Sequence, residues 1–298
     1  MRAVNGSTDH RPRARLRAAV ATTAALAAVA AVAGCDSLRD TTHDGRAGAG
    51  PSASAGPRWN PRPASIASLG DSISRGFDAC SALSDCPEVS WATGSQPQSL
   101  AGRLLSDPLD NSWNYARTGA RIADLPDQVR SAAARKPELV TVLIGANDAC
   151  RPSVDAMTSA EDFRAGFAAS VRELRGALPK AQLYVASVPD LKRLWSQGRE
   201  SPYAKTVWKL GICQSMLRDA DAVDTAARQR REQVSQRVAA YNDALRDVCG
   251  KDALCRFDDA VHGYEFTGEQ LSKWDWFHPN KEGQNALAEL AYRRITTG

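Results

Sequence analysis

The sequence predicts an α/β fold: a three-layer α/β/α sandwich around a central, mostly parallel sheet. Three observations carry that expectation. From Ser65 onward, short apolar runs of strand length alternate with stretches of helical character, the order that parallel sheets use. The clearest run, "ELVTVLIGAND" from Glu138 to Asp148, is apolar and β-branched, as suits a strand covered on both faces. Polar residues with chemical potential collect just after such runs, where strand carboxyl ends open toward solvent.

The first 34 residues stand apart from this pattern. Arg11, Arg13, Arg15 and Arg17 precede the apolar run "AAVATTAALAAVAAVAGC", which has the charged start, apolar middle and small-residue end of an export signal. Its end, "VAGC" at 32–35, resembles a bacterial lipobox, so Cys35 is the expected lipidation site. An ordinary secretory signal cut nearby and a single anchoring helix are the alternatives, and in each case the chain is expected to be exported, as a cell-surface lipoprotein or a secreted protein. Residues 35–63, rich in Gly, Ala, Ser and Pro, read as a flexible tether. Residues 64–298 remain as one domain, long enough to bury a substantial core.

Within that domain "SIASL" (65–69) reads as a buried first strand ending in the turn Gly70-Asp71-Ser72. A helix is expected over 96–108, stopped near Pro108, and a weaker strand over 112–116. Asp124 or Leu125 begins the next helix, with Pro126 in its first turn. The strand 138–148, a helix over 160–178 and a strand over 181–188 continue the alternation. Val234, Val238, Tyr241, Leu245 and Val248 then recur at intervals of four and three, a stripe that packs one face of a long helix on the core. A last strand over 254–259 and a closing helix over 282–295 complete the set.

Charge and cysteines bound the chemistry. Residues 1–34 hold five Arg and one acid, so the chain's 38 basic and 34 acidic residues become 33 and 33 beyond them. A neutral domain has no electrostatic footprint for nucleic acid. With Cys35 set aside, six cysteines are left, an even number that suggests three disulfides among 15 pairings. Sequence proximity favours Cys80–Cys86 and Cys249–Cys255, leaving Cys150–Cys213. No metal or cofactor is expected, because no Cys-x-x-Cys, G-x-G-x-x-G or Walker loop occurs.

Three polar signals fall at strand ends: Ser72 after the first, Gly119 after the second, and Asn147 after the third. A serine nucleophile needs a neighbouring base. Beyond the tether only His262 and His278 are available. His278 lies three residues after Asp275, whose carboxylate can fix the ring's tautomer and stabilise the imidazolium. His262 lacks such a partner and is read as structural. Asp71 is also read as structural, since an acid beside the nucleophile cannot reach round to orient a distant base.

At this point the chain resembles the SGNH hydrolases, the GDSL esterase and lipase family. "GDSI" matches the nucleophile block, with Ile73 in place of the usual Leu; "NYARTG", "GAND" and "DWFHP" match the other three in order. The resemblance implies the flavodoxin-like form of the sandwich. It makes Ser72 the nucleophile and His278 with Asp275 the rest of the triad. The N–H groups of Ser72 and Gly119 and the side chain of Asn147 form the oxyanion hole. "CPEVSWATGSQPQSLAGRL" and "PDLKRLW" look similar to bacterial, phospholipase B-like members. Trp274, Trp276 and Phe277 read equally well as an acyl pocket or as core.

The expected function is cleavage of carboxylic esters, of lipids or short acyl groups, through an acyl-enzyme. The alternatives are carbohydrate deacetylation on the same site and non-catalytic binding at a surface. The expected partner is a small-molecule ester or lipid substrate, with no nucleic acid. Membrane contact is expected only through Cys35, and the chain is expected to act as a monomer.

Overall fold

The structure, a computed structural model, describes residues 58–297. The expected export signal, Cys35 and most of the expected tether lie outside the described residues. Five strands form one parallel sheet: β1 (Ile66–Gly70), β2 (Ser112–Asn114), β3 (Leu139–Leu143), β4 (Gln182–Ala186) and β5 (Cys255–Asp258), in the spatial order β2-β1-β3-β4-β5. β1, β3 and β4 are buried throughout, as their unbroken apolar runs require. The chain moves from β1 to one side for β2 and to the other for β3. Loops leaving β1 and β3 therefore diverge, and a crevice opens between their carboxyl ends.

Helices cover both faces. Before β3 come α1 (Ser72–Arg75), α2 (Leu100–Leu104), α3 (Pro108–Asn111) and α4 (Leu125–Ala133). The segment expected as one helix over 96–108 is broken. Ser99 caps α2 through Gly102 N, Asp107 caps α3, and Pro108 opens a new turn instead of stopping an old one. α4 begins as its Pro126 signal implied.

Beyond β3 lie α5 (Ala146–Ala149), α6 (Ala160–Ala177), α7 (Leu191–Gly198), α8 (Pro202–Trp208), α9 (Gln214–Leu217), α10 (Thr225–Cys249), α11 (Ala260–Gly263) and α12 (Lys281–Thr296). The stripe on α10 is buried at Val234, Val238, Tyr241 and Leu245, with Val248 at its half-buried edge. Helices α7 to α9 had no counterpart in the sequence reading. Among the described residues no helix is long and apolar enough to cross a membrane.

The expected tether ends earlier than Pro63. Trp59 packs against the core, donates its indole N–H to Ile295 O at 2.9 Å, and lies under the Arg256 guanidinium at 4.3 Å. Asn60 exchanges backbone hydrogen bonds with the side-chain amide of Gln182. A Trp ring and a reciprocal amide pair fix this segment to the amino end of the sheet, where composition alone suggested free chain.

Candidate active site

The crevice gathers its polar groups from four places in the chain. β1 ends at Gly70, whose φ of 141° and close approach to Leu143 O leave no room for a side chain. Gln128 of α4 clamps the same residue, accepting from Gly70 N at 2.7 Å and donating to Gly70 O at 2.9 Å. Asp71 then caps α1, its carboxylate accepting from Ile73 N at 3.0 Å. Ser72 is thereby delivered as the first residue of the helix, 6% exposed. From the other face, Gln284 of α12 donates to Ile73 O at 2.9 Å and accepts from Trp91 N at 2.8 Å.

His278 and Asp275 arrive on the loop before α12. Ser72 Oγ and His278 Nε2 lie 2.8 Å apart, and His278 Nδ1 is 2.5 Å from Asp275 Oδ2. With Asp275 accepting from Nδ1–H, Nε2 is left as the acceptor for the serine proton. The other carboxylate oxygen accepts from Phe277 N and His278 N, and Trp208 donates to Asp275 O at 2.7 Å. Burial opposes charge on both groups. The pair outweighs it: Asp275 is held below the usual carboxylate range by His278 and these N–H donors, and the imidazole is held above its ordinary value by Asp275, with Asp78 and Asp71 beyond it.

Two loops close the other side. Arg117 N donates to Gly70 O at 3.1 Å, which brings the segment after β2 against the end of β1. Two residues on, Gly119 is exposed and adopts φ 82°, a left-handed conformation that a side chain would strain. Asn147, in α5 after β3, donates to Ala120 O at 3.0 Å. Asp148 accepts from Ile122 N at 2.9 Å and from Thr158 Oγ1 at 2.7 Å. The "GAND" block thus holds the Gly119 loop in place, and Gly119 N–H and the second Asn147 amide hydrogen remain available to a ligand. Asp71 keeps the structural role expected of it; burial pushes its carboxyl up to about 7.

All three disulfides are formed: Cys80–Cys86, Cys150–Cys213 and Cys249–Cys255. His262 is engaged by the segment after β4, its Nδ1 3.0 Å from Val188 O and its N donating to Ser187 Oγ. Phe277 is buried edge-on to the His278 ring and Trp276 packs against the core, so both serve packing; Trp274 is half-buried beneath the Lys273 ammonium.

The sequence reading missed a neighbour of the His278–Asp275 pair. Asp78 is 3% exposed, and its carboxyl lies with those of Asp275 and the ring of His278 in a cluster whose atoms are all within 4.8 Å of one another. Burial and the Asp275 charge push Asp78 up to about 6. Its only sequence signal is an acid six residues after the nucleophile, inside the Cys80–Cys86 neighbourhood.

A family model described as GDSL-like Lipase/Acylhydrolase matches residues 66–291. No curated protein matches the chain. Among solved structures, a Parabacteroides merdae protein described as a GDSL-like lipase aligns with TM-score 0.50 at 17% identity, covering 80% of this chain and 99% of that one. A Clostridium thermocellum family 3 carbohydrate esterase aligns with TM-score 0.48 at 14% identity, covering 77% and 94%. A family 3 carbohydrate esterase from Talaromyces cellulolyticus gives 0.45 at 16%, covering 78% and 95%. At 17% identity the Parabacteroides merdae structure speaks for the fold alone.

Proposed function

The chain belongs to the GDSL-like lipase/acylhydrolase family, and from that membership we propose that it cleaves short-chain carboxylic esters with Ser72 as nucleophile. The observation that carries this reading is the unbroken line Ser72 Oγ, His278 Nε2, His278 Nδ1, Asp275 Oδ2, with separations of 2.8 and 2.5 Å. His278 takes the serine proton as Oγ attacks the ester carbonyl, and Asp275 stabilises the imidazolium that results. The tetrahedral oxyanion is met by the N–H groups of Ser72 and Gly119 and by the Asn147 amide. Collapse expels the alcohol with the proton from His278, leaving an acyl-serine. Water, deprotonated by the same imidazole, then releases the acid.

Short acyl groups are favoured by the polar surroundings of the Gly119 loop and the end of α1. Thr118 and Asp85 are exposed and polar, and Asp85 is paired with Arg75 at 3.1 Å, while Phe277 and Trp276 are taken up by packing. The same polar rim supports a second reading, removal of acetyl groups from carbohydrate. Long-chain lipid hydrolysis, with the phospholipase B-like resemblance behind it, is the third. Rates on p-nitrophenyl esters of two to twelve acyl carbons, beside acetylated oligosaccharides and phospholipids, separate the three. A maximum at the long esters or on phospholipid would replace the short-chain reading.

We also propose export, supported by the leader, the "VAGC" sequence and three disulfides of the kind that persist in oxidising compartments. Lipidation at Cys35 is tested by expressing the full chain in a bacterial host. The Cys35→Ala variant should move from the membrane fraction to the soluble one; an unchanged partition removes the anchor.

A further inference from the structure

We propose that Asp78 is a positioning residue of the catalytic triad, a second carboxyl set against the Asp275–His278 pair that helps hold the imidazolium formed during proton transfer. The inference rests on the esterase reading and extends it by one residue.

The geometry is built for this placement. Asp78 has φ 57°, a left-handed conformation that Asp and Asn adopt more readily than other side chains. It is held there on several sides. Its N–H donates to Ser84 O at 2.9 Å, its carbonyl accepts from Ser272 Oγ at 2.7 Å, and its Oδ1 accepts from Leu83 N at 2.5 Å. Ser272 belongs to the loop that carries Asp275, so the hydrogen bond to it locks the two acids' loops together. Phe77, the residue before, lies edge-on to the His278 ring at 5.0 Å.

A turn aspartate ordinarily keeps its carboxylate in water. This one is buried beside another carboxylate, an arrangement that raises the energy of the doubly charged state. A nearby imidazolium relieves that repulsion. The pair of acids is therefore stabilised most when His278 is protonated, the state it enters as Ser72 attacks. The ionisable groups facing His278 are Asp275, Asp78 and Asp71. Those facing Asp78 are Asp275 and His278. Arg75 and Asp85, near the same loop, neutralise each other.

An ionised Asp78 favours the imidazolium, so removing its charge lowers the pKa of His278 and moves the acid limb of kcat/KM to lower pH. A charge at this range shifts a pKa by about one to three units, so a displacement of about one pH unit is expected in Asp78→Asn, with kcat on the plateau reduced several-fold. Asparagine tolerates the left-handed backbone and can still accept from Leu83 N. Asp78→Ala should lose more kcat than Asp78→Asn.

The experiment compares pH profiles for p-nitrophenyl acetate hydrolysis by wild type, Asp78→Asn and Asp78→Ala, with circular dichroism to establish folding. An acid limb that stays in place in folded Asp78→Asn overturns the proposal, whatever happens to kcat. The second measurement needs no variant at position 78: the His278 ring resonance in wild type, assigned through His278→Gln, is followed by NMR against pH. It should show an inflection near pH 6 from Asp78 besides its own titration, and a single inflection overturns the proposal. Wild type that hydrolyses no ester refutes the esterase reading, while the NMR titration still decides whether Asp78 and His278 are coupled.

Discussion

Two disulfides close loops of the same six-residue separation at opposite ends of one sheet. Cys80–Cys86 lies at the strands' carboxyl ends. Its neighbourhood touches three of the four segments that build the site: Phe77 meets the His278 ring, Asp78 meets Asp275, Cys86 N donates to Arg75 O behind Ser72, and Asp85 accepts from Thr118 beside Gly119. Cys249–Cys255 joins the end of α10 to the start of β5 at the amino ends. Its loop serves the body of the fold, with Asp252 bound to Arg175 at 2.5 Å and Leu254 O accepting from Leu183 N. Chain entropy gives each closure about 2 kcal/mol. Equal spacing and equal stabilisation thus hide two different jobs, which only the contacts distinguish.

The largest effects belong at the catalytic end. Ser72→Ala should lower kcat by at least about 10⁴-fold with the fold unchanged by circular dichroism; near-normal activity would remove the mechanism. Asn147→Ala should cost about 10²- to 10³-fold in kcat, the usual worth of one oxyanion donor. Both set the scale for the comparison of the loops. Opening the catalytic-end loop with Cys80→Ser/Cys86→Ser should lower kcat about tenfold or more at temperatures where the protein is folded, because small displacements of reacting groups are expensive. Opening the other with Cys249→Ser/Cys255→Ser should leave kcat within about twofold. Both double variants should lose about 4 to 8 °C in Tm, the shift expected for about 2 kcal/mol in a domain of this size. Equal kcat losses would break the contrast.

Cys150–Cys213 sharpens it further. Cys150 follows α5, which carries Asn147, so this bond looks like a clamp on the oxyanion donor. Ser215 already holds that helix by donating twice, N–H to Arg151 O at 2.8 Å and Oγ–H to Ala149 O at 2.7 Å. We therefore expect Cys213→Ser to lower kcat less than opening Cys80–Cys86, yet to lower Tm more, since its loop spans 63 residues and the entropic effect grows with length. The smallest effect is on pH. Because Asp275 outweighs burial and holds His278 above its ordinary value, kcat/KM of the wild type should fall as pH drops through a point above that of a free imidazole, and a limb well below it would contradict the charge arrangement.

Much of this was legible in the sequence for a physical reason. A buried parallel strand must be apolar along its length, so β1, β3 and β4 announced themselves, and the residues just past them marked the crevice. Asp78 was not legible. "GFDAC" reads as a turn, and the residue that gives Asp78 its meaning, Asp275, lies far along the chain. Helices α7 to α9 were hidden by their brevity: Gly198, Pro202 and Gly211 interrupt the segment before a helical period can repeat often enough to be seen. One of them supplies Trp208, which supports Asp275 from behind. The last residues of the expected tether were misread because a lone Trp among Pro and Arg carries no periodicity at all.

That Trp has a consequence for how the domain can be handled. Trp59 bonds to Ile295 O, and Arg256 beside it donates to Thr297 O at 2.9 Å, so the two ends of the described chain meet at one spot on the amino side of the sheet. Neighbouring ends are what circular permutation requires. Joining them through a short linker and reopening the chain at exposed Leu210–Gly211 would give a permuted domain with every catalytic element intact. Attachment to a solid support through either end would leave the crevice facing away from it.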